Sequence, residues 1–251
     1  MTAHSLSDWF ENLLFNSGRR SFTVTVIGSG GKTSLIRRLA VSLAPGRKIL
    51  ITPTTKMFPF SPGEVPPSVN VKGIFNEASG KLESLPLCEL EKIIPSYDLV
   101  FIEGDGSKGL PLKAWAEHEP VVPPFTDITI GILPLWPLGK PVSESIVHRL
   151  RHFIALTGAE EGKPVKQEHI LRLITGRTPD GSPGSGRAPG LFAKAAGRKL
   201  LFFNQIEDYE SLRQAREITA SLPAEFRSGE LDRIIAGSVK ENRITELCIG
   251  C

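Results

Sequence analysis

The chain has 251 residues, enough for one large domain or two small ones. A 40% share of hydrophobic residues suits a globular protein, and a net charge of +3 is too mild to argue for nucleic acid or a membrane surface as partner. No apolar run is long enough to span a bilayer, and three cysteines make no disulfide framework, so a reducing, cytoplasmic setting is expected.

The opening stretch MTAHSLSDWFENLLF does not read as a signal peptide, because Asp8 and Glu11 interrupt its apolar residues. Leu6, Trp9, Phe10, Leu13 and Leu14 instead follow helical spacing. SFTVTVI predicts a strand ending at Gly28, and LIRRLAVSL a helix with Leu35, Ile36, Leu39 and Leu43 on one face. Pro45 and Gly46 stop that helix, and KILIT, 48–52, is a second strand. YDLVFIE at 97–103, DITIGIL at 127–133, KLLFFN at 199–204 and RIIAGSV at 233–239 are further apolar strands of the kind covered on both faces. SESIVHRLRHFIAL predicts a helix capped at Ser143, with Ile146, Val147, Leu150, Phe153 and Ile154 on one face. DYESLRQAREITASL predicts another, carrying Leu212, Ala215, Ile218 and Leu222. The alternation describes an α/β chain, one domain over 1–251, with an open, mostly parallel, doubly wound sheet and helices on both faces. Two regions break the rhythm. Residues 59–85 begin proline-rich and then suggest a small hairpin insertion turning at Ala78-Ser79-Gly80. Residues 176–190, GRTPDGSPGSGRAPG, read as a mobile surface loop.

The stretch VTVIGSGGKTSLI ends in Gly31-Lys32-Thr33, as a phosphate-binding loop does, but Val26 stands where the usual spacing has its first glycine. A dinucleotide fingerprint fits Gly28 and Gly30. It fails at Thr33, where it needs glycine, and again at Thr52, where it wants an acid. The phosphate-loop reading keeps the parts with chemical work to do. Gly28, Gly30 and Gly31, with Ser29 between them, let the backbone turn its N–H groups inward. Lys32 can reach terminal phosphates, Thr33 can ligate magnesium, and Ser34 lies in the first helical turn at the same spot. A similar shortened form, an apolar strand followed by G-[ST]-x-G-K-T, occurs in the Mur ligases. The sheet is therefore expected to be of the P-loop NTPase type, with ATP or GTP as ligand.

A metal-orienting acid is expected where a neighbouring strand ends. LVFIEGDG offers Glu103 and Asp105; Asp105 is the expected magnesium ligand alongside Thr33, and Glu103 the group that orients or activates water. Lys32, Glu103 and Asp105 form the expected catalytic set. Thr54 and Thr55, just past the second strand, could bond a γ-phosphate or its metal; a plain polar turn around Pro53 fits the same residue types. Lys108 and Lys113 flank Leu110-Pro111-Leu112 and could hold an anionic second substrate, such as a phosphorylated pterin; two solvated lysines would read the same way. Arg149 could reach phosphate from a helix face. FFNQIED stands where GTP-binding P-loop proteins carry N-K-x-D, with Asn204 for the base edge and Glu207 for the paired N–H groups of guanine; Asn204 as the cap of the helix over 208–222, with Glu207 solvated, reads equally well. Cys248-Ile249-Gly250-Cys251 supplies two of zinc's four ligands: half of a metal site shared across a homodimer, a thiol pair handling sulfur or selenium, or untethered terminal thiols.

Together these residues resemble the YqeC family of predicted accessory proteins of selenium-dependent molybdenum hydroxylases. The resemblance rests on VIGSGGKTSLI, ITPTTKM, EGDGSKGLPLKAWAEHEPVVP at 103–123, VHR at 147–149, FFNQIED at 202–208 and IIAGS at 234–238, and runs across nearly the whole chain. The block at 103–123 is the most specific. Departures are Pro53 in place of threonine, Trp115 in place of proline, and Asn204-Gln205-Ile206-Glu207 in place of N-K-x-D. The resemblance implies a nucleotide-binding P-loop fold and a role in maturing a molybdenum enzyme. Its partners would be a molybdenum hydroxylase or a component of the molybdenum cofactor. The residues themselves imply only the nucleotide part; the leading expectation is a magnesium-dependent ATP- or GTP-binding protein that hydrolyses its ligand. A ligase-like activation of an acid, or a carrier that binds nucleotide without turnover, remains open on the same residues.

Overall fold

The computed structural model describes residues 4–15, 18, 21–178, 182 and 189–249. A short strand β1 (His4–Ser5) and helix α1 (Leu6–Phe15) precede β2 (Phe22–Gly28) and α2 (Lys32–Leu43). Then come β3 (Ile49–Pro53), β4 (Lys56–Met57), β5 (Val69–Val71), β6 (Ile74–Asn76), β7 (Lys81–Glu83), α3 (Leu87–Ile93) and a 3-10 turn at Ile94–Ser96. The middle of the chain holds β8 (Leu99–Glu103), β9 (Leu112–Lys113), β10 (Ile128–Pro134), β11 (Val147–His148), α4 (Leu150–Thr157) and α5 (Gln167–Thr175). It closes with β12 (Arg198–Asn204), α6 (Tyr209–Ser221), α7 (Ala224–Glu230), β13 (Arg233–Ser238) and β14 (Arg243–Ile249).

One nine-stranded sheet runs in the order β1-β14-β13-β12-β10-β2-β8-β3-β5. From β13 to β5 every neighbouring pair is parallel; only β14 and β1 at one edge are antiparallel. Strand alternation sends apolar side chains to two opposite cores. Val24, Val26, Ile130, Ile132 and Phe202 meet Leu6, Phe10 and Leu14 of α1 and Leu35, Ile36 and Leu39 of α2. Ile27, Leu133, Leu201 and Phe203 meet Phe153 of α4, Ile170 and Leu173 of α5 and Ile218 of α6 on the other side. Burying a Leu, Ile or Phe side chain contributes about 1.5–3 kcal/mol, so the two cores fix the strand register firmly. Because β2, β8, β12 and β13 are parallel, their last residues, Gly28, Glu103, Asn204 and Ser238, come out on one edge of the sheet.

The α/β architecture and the six apolar strands expected from the sequence are present, and helices cover both faces. The helix expected from Ser143 starts only at Leu150. Val147 and His148 pair instead with Leu112 and Lys113, and Arg149 turns into the left-handed region at φ 64°, which no continuing helix allows. The hairpin in 59–85 is formed by β6 and β7, and β4 joins it in a three-stranded antiparallel sheet. Most of the loop at 176–190 lies outside the described residues. Among the described residues no helix is long and apolar enough to cross a membrane.

Candidate functional site

The glycine loop leaves β2 at the centre of the sheet. Gly28, Gly30 and Gly31 all have positive φ, at 103°, 80° and 130°. A Cβ on Gly28 would lie 2.2 Å from the Ile132 carbonyl oxygen, and one on Gly31 would lie 2.4 Å from the Asn204 side-chain nitrogen. Only glycine allows both this backbone path and these close approaches. Ser29 is held down by two bonds, its N–H donating to Ile132 O (2.9 Å) and its hydroxyl to Pro111 O (2.7 Å). The next N–H groups, from Gly30 to Ser34, have no acceptor among the described residues, and α2 has no side-chain cap. The loop thus presents a row of unspent donors at the positive end of a three-turn helix, the arrangement that takes an anion.

The two acids past β8 are placed differently. Glu103 accepts the Thr33 hydroxyl at 2.7 Å. Burial pushes its carboxyl above the ordinary range, against the opposing pull of the Lys32 charge and the Thr33 hydrogen bond. Asp105 is fully buried beneath the loop. It accepts the Gly28 N–H at 3.0 Å and the Trp115 indole N–H at 2.6 Å, and pairs with Lys32 at 3.3 Å and Lys113 at 3.2 Å. Burial alone would raise its pKa; the Lys32 and Lys113 charges and the Gly28 and Trp115 donors outweigh burial and hold it below the usual range. The structure therefore sets Glu103 beside the Thr33 hydroxyl and gives Asp105 to the loop's underside. Lys32 itself donates to Gly28 O at 2.8 Å and is almost wholly buried.

The β3 end lies alongside, with the Thr54 N–H donating to Glu103 O at 3.0 Å. The Thr54 hydroxyl is spent on Val121 O at 2.6 Å. The hydroxyls of Thr52 and Thr55 are buried with no partner among the described residues. Such orphaned groups normally find a ligand or a water.

On the other flank a cavity of about 840 Å3 opens between α2 and the turns that follow β12 and β13. Ser34, Arg38, Trp136, Gln205, Glu207 and Lys240 are among its lining residues. Asn204 spans the gap from loop to wall: its side-chain N–H donates to Gly30 O at 2.8 Å, and its carbonyl oxygen accepts the Val239 N–H at 3.0 Å. Glu207 receives the Ser238 hydroxyl at 3.2 Å on one carboxylate oxygen. Asn204 is thus a tie between two turns, and Glu207 is the exposed acceptor on the cavity wall. Helix α6 is capped by Asp208, whose carboxylate accepts the Ser211 N–H at 2.7 Å. Ser238, Trp136 and Arg38 were not anticipated from the sequence. For Ser238 the signal was a hydroxyl closing an apolar strand; for the other two there was none.

Lys108 and Lys113, read together from the sequence, part company. Lys113 is fully buried, donating to Gly106 O at 2.6 Å and pairing with Asp105 and with Glu119, the latter at 3.0 Å. Lys108 lines a separate cavity with Arg149. Cys248 sits on β14, and Cys251 lies outside the described residues.

The family model of YqeC proteins matches residues 24–151, from the middle of β2 into α4. The Escherichia coli (strain K12) protein named "Uncharacterized protein YqeC" is 33% identical over 183 residues, which cover 65% of this chain and 71% of that protein. No solved structure matches significantly. The family match takes in the glycine loop, Glu103, Asp105, both lysines and Arg149, while Asn204, Glu207 and Ser238 on the cavity wall lie beyond it; because the match spans half of the chain, the chain belongs to the YqeC family.

Proposed function

We propose that the protein is a magnesium-dependent nucleoside triphosphate-binding protein of the P-loop type that hydrolyses its ligand and prefers guanine. The observation that carries this reading is the run of unspent N–H donors from Gly30 to Ser34, with Lys32 and Thr33 at the same helix start. The N–H groups would hold the β-phosphate and Lys32 would leave Gly28 O for the terminal phosphates. Thr33 and Glu103 supply hard oxygen donors, the set that suits magnesium, an ion usually held by one or two protein ligands and the phosphates. Magnesium, when bound, would neutralise charge developing on the phosphates. Thr55 offers a further hydroxyl from the β3 end. Asp105, fixed by two lysines, keeps the loop and Lys32 in place instead of binding metal.

The cavity beside α2 has the size of a small-molecule site and one wall of hydrogen-bonding groups. Glu207 can accept N–H groups that guanine offers and adenine does not, with Ser238 orienting it. Gln205 lacks the charge and stem that a lysine would lay over the ring, which loosens the site. GTP is expected to bind about tenfold more tightly than ATP, or about 1.4 kcal/mol. Competition between the two nucleotides checks this. Glu207→Gln should erase most of the preference; a preference for ATP, or one untouched by the substitution, overturns the guanine assignment. Resemblance to the family further supports a role as accessory factor in maturing a selenium-dependent molybdenum hydroxylase, with hydrolysis driving transfer of a cofactor component.

A further inference from the structure

A second cavity, of about 420 Å3, lies on the far side of the Lys113 ion pairs. It is lined by Lys108, His148, Arg149, Arg151 and His152, with Glu144 as its one acid. Lys108 and Arg151 make no ion pair or side-chain hydrogen bond among the described residues, and the Arg149 Nε–H is buried with no acceptor. The N–H groups of Leu150 and Arg151, opening α4, likewise have no acceptor there. Two of these cations stand on left-handed backbone, Lys108 at φ 52° and Arg149 at φ 64°. Non-glycine residues hold such strained conformations only where surrounding structure imposes them, and such positions cluster at ligand clamps. Burial first, and then the charges of Lys113, Arg149 and Lys108, lower the His148 pKa to about 4, so the cavity's positive charge comes from Lys108, Arg149 and Arg151.

We propose that this cavity binds a small phosphate monoester as a second ligand. A tetrahedral dianion can accept from several directions at once, which suits donors converging from Lys108, Arg149, Arg151 and the start of α4; a planar carboxylate cannot use them all. The cavity is also wired to the glycine loop. Arg149 pairs with Glu119 at 3.1 Å, Glu119 with Lys113 at 3.0 Å, Lys113 with Asp105 at 3.2 Å and Asp105 with Lys32 at 3.3 Å. An anion that draws Arg149 away from Glu119 would strengthen the Glu119–Lys113 pair and weaken the hold of Lys113 on Asp105. This relay rests on the nucleotide-binding reading of the loop; binding in the cavity does not.

Calorimetric titration of ribose 5-phosphate into the Lys32→Ala protein reads the cavity with the loop's hold on phosphate weakened, and substitutions in the cavity assign the binding to it. Saturable binding is expected, weakened at least tenfold by Lys108→Asn and by Arg149→Asn, because asparagine keeps the left-handed backbone and removes the charge. Should Arg149→Asn fail to fold because Glu119 loses its partner, Arg151→Gln, remote from that pair, takes its place. Binding insensitive to these substitutions, or equal binding of ribose or of succinate, overturns the proposal. In the wild-type protein, ribose 5-phosphate should then shift the affinity for magnesium–GTP, and Glu119→Gln should abolish that shift. An unchanged affinity refutes the relay while leaving the phosphate site standing. Absence of any GTP binding refutes the nucleotide reading instead.

Discussion

Replacing Asp105 by alanine is expected to lower the unfolding free energy by about 3–5 kcal/mol. Its carboxylate is fully buried and is the shared counter-ion of Lys32 and Lys113, which are themselves buried. Truncation leaves two buried ammonium groups without their shared counter-ion, with Glu119 paired to Lys113 and Glu103 nearby as the remaining acids. It also strands the Gly28 and Trp115 N–H donors. Asp105→Asn should cost nearly as much, because the volume is kept while the charge is lost. Trp115→Phe removes only one charge-assisted hydrogen bond and should cost about 1.5–3 kcal/mol. Urea or thermal unfolding of the three variants checks the ranking. An Asp105→Ala protein within about 1 kcal/mol of the parent would show that Asp105 does not anchor the loop.

Lys32→Ala should weaken binding of a nucleoside triphosphate about 10–100-fold while leaving the affinity for the bare nucleoside unchanged. A hydrogen bond to a charged group contributes about 1.5–3 kcal/mol, which sets the range. The selectivity follows from reach, since the ammonium can meet only the phosphates. Calorimetry with GTP, GDP and guanosine separates the cases. Equal losses for all three would mean that Lys32 supports the fold of the site and not the ligand. Lys32→Ala should also be milder for stability than Asp105→Ala, because Asp105 keeps Lys113 and its two N–H donors.

The sheet was legible because its strands are buried on both faces, so LVFI at 99–102 and LLFF at 200–203 are continuous apolar runs, and SFTVTVI breaks its apolar residues only with hydroxyl side chains. The glycine loop was legible because its backbone path admits no other residue at Gly28 or Gly31. The partition of the two acids was not. Whether Glu103 or Asp105 faces the Thr33 hydroxyl depends on Trp115 and Lys113, which a turn of the chain brings back under the loop. That turn is fixed by the pairing of β9 with β11, a contact between residues 35 positions apart in register (Leu112 with Val147). No local periodicity announces it. The same pairing removed the first turns from the helix expected at Ser143, where the apolar spacing of Ile146, Val147 and Leu150 imitates a helical face. Strand β14, next to the short edge strand β1, went unread because its alternation in RITELCI is short and interrupted by a register shift between Ile234 and Ile235 of its partner. Asn204 was found by its position after a strand, but its task as a tie between Gly30 and Val239 needed both turns in view.

The measurement that bears most directly on the account is a titration of the wild-type protein with GTP in magnesium and, separately, in EDTA. Saturable binding of one GTP per chain is expected in magnesium, clearly weaker in EDTA, with the magnesium dependence lost in Glu103→Gln because the carboxylate beside Thr33 is gone. Absence of saturable GTP or ATP binding in magnesium, with the protein folded, would contradict the assignment of the Gly28–Thr33 loop as a nucleotide site.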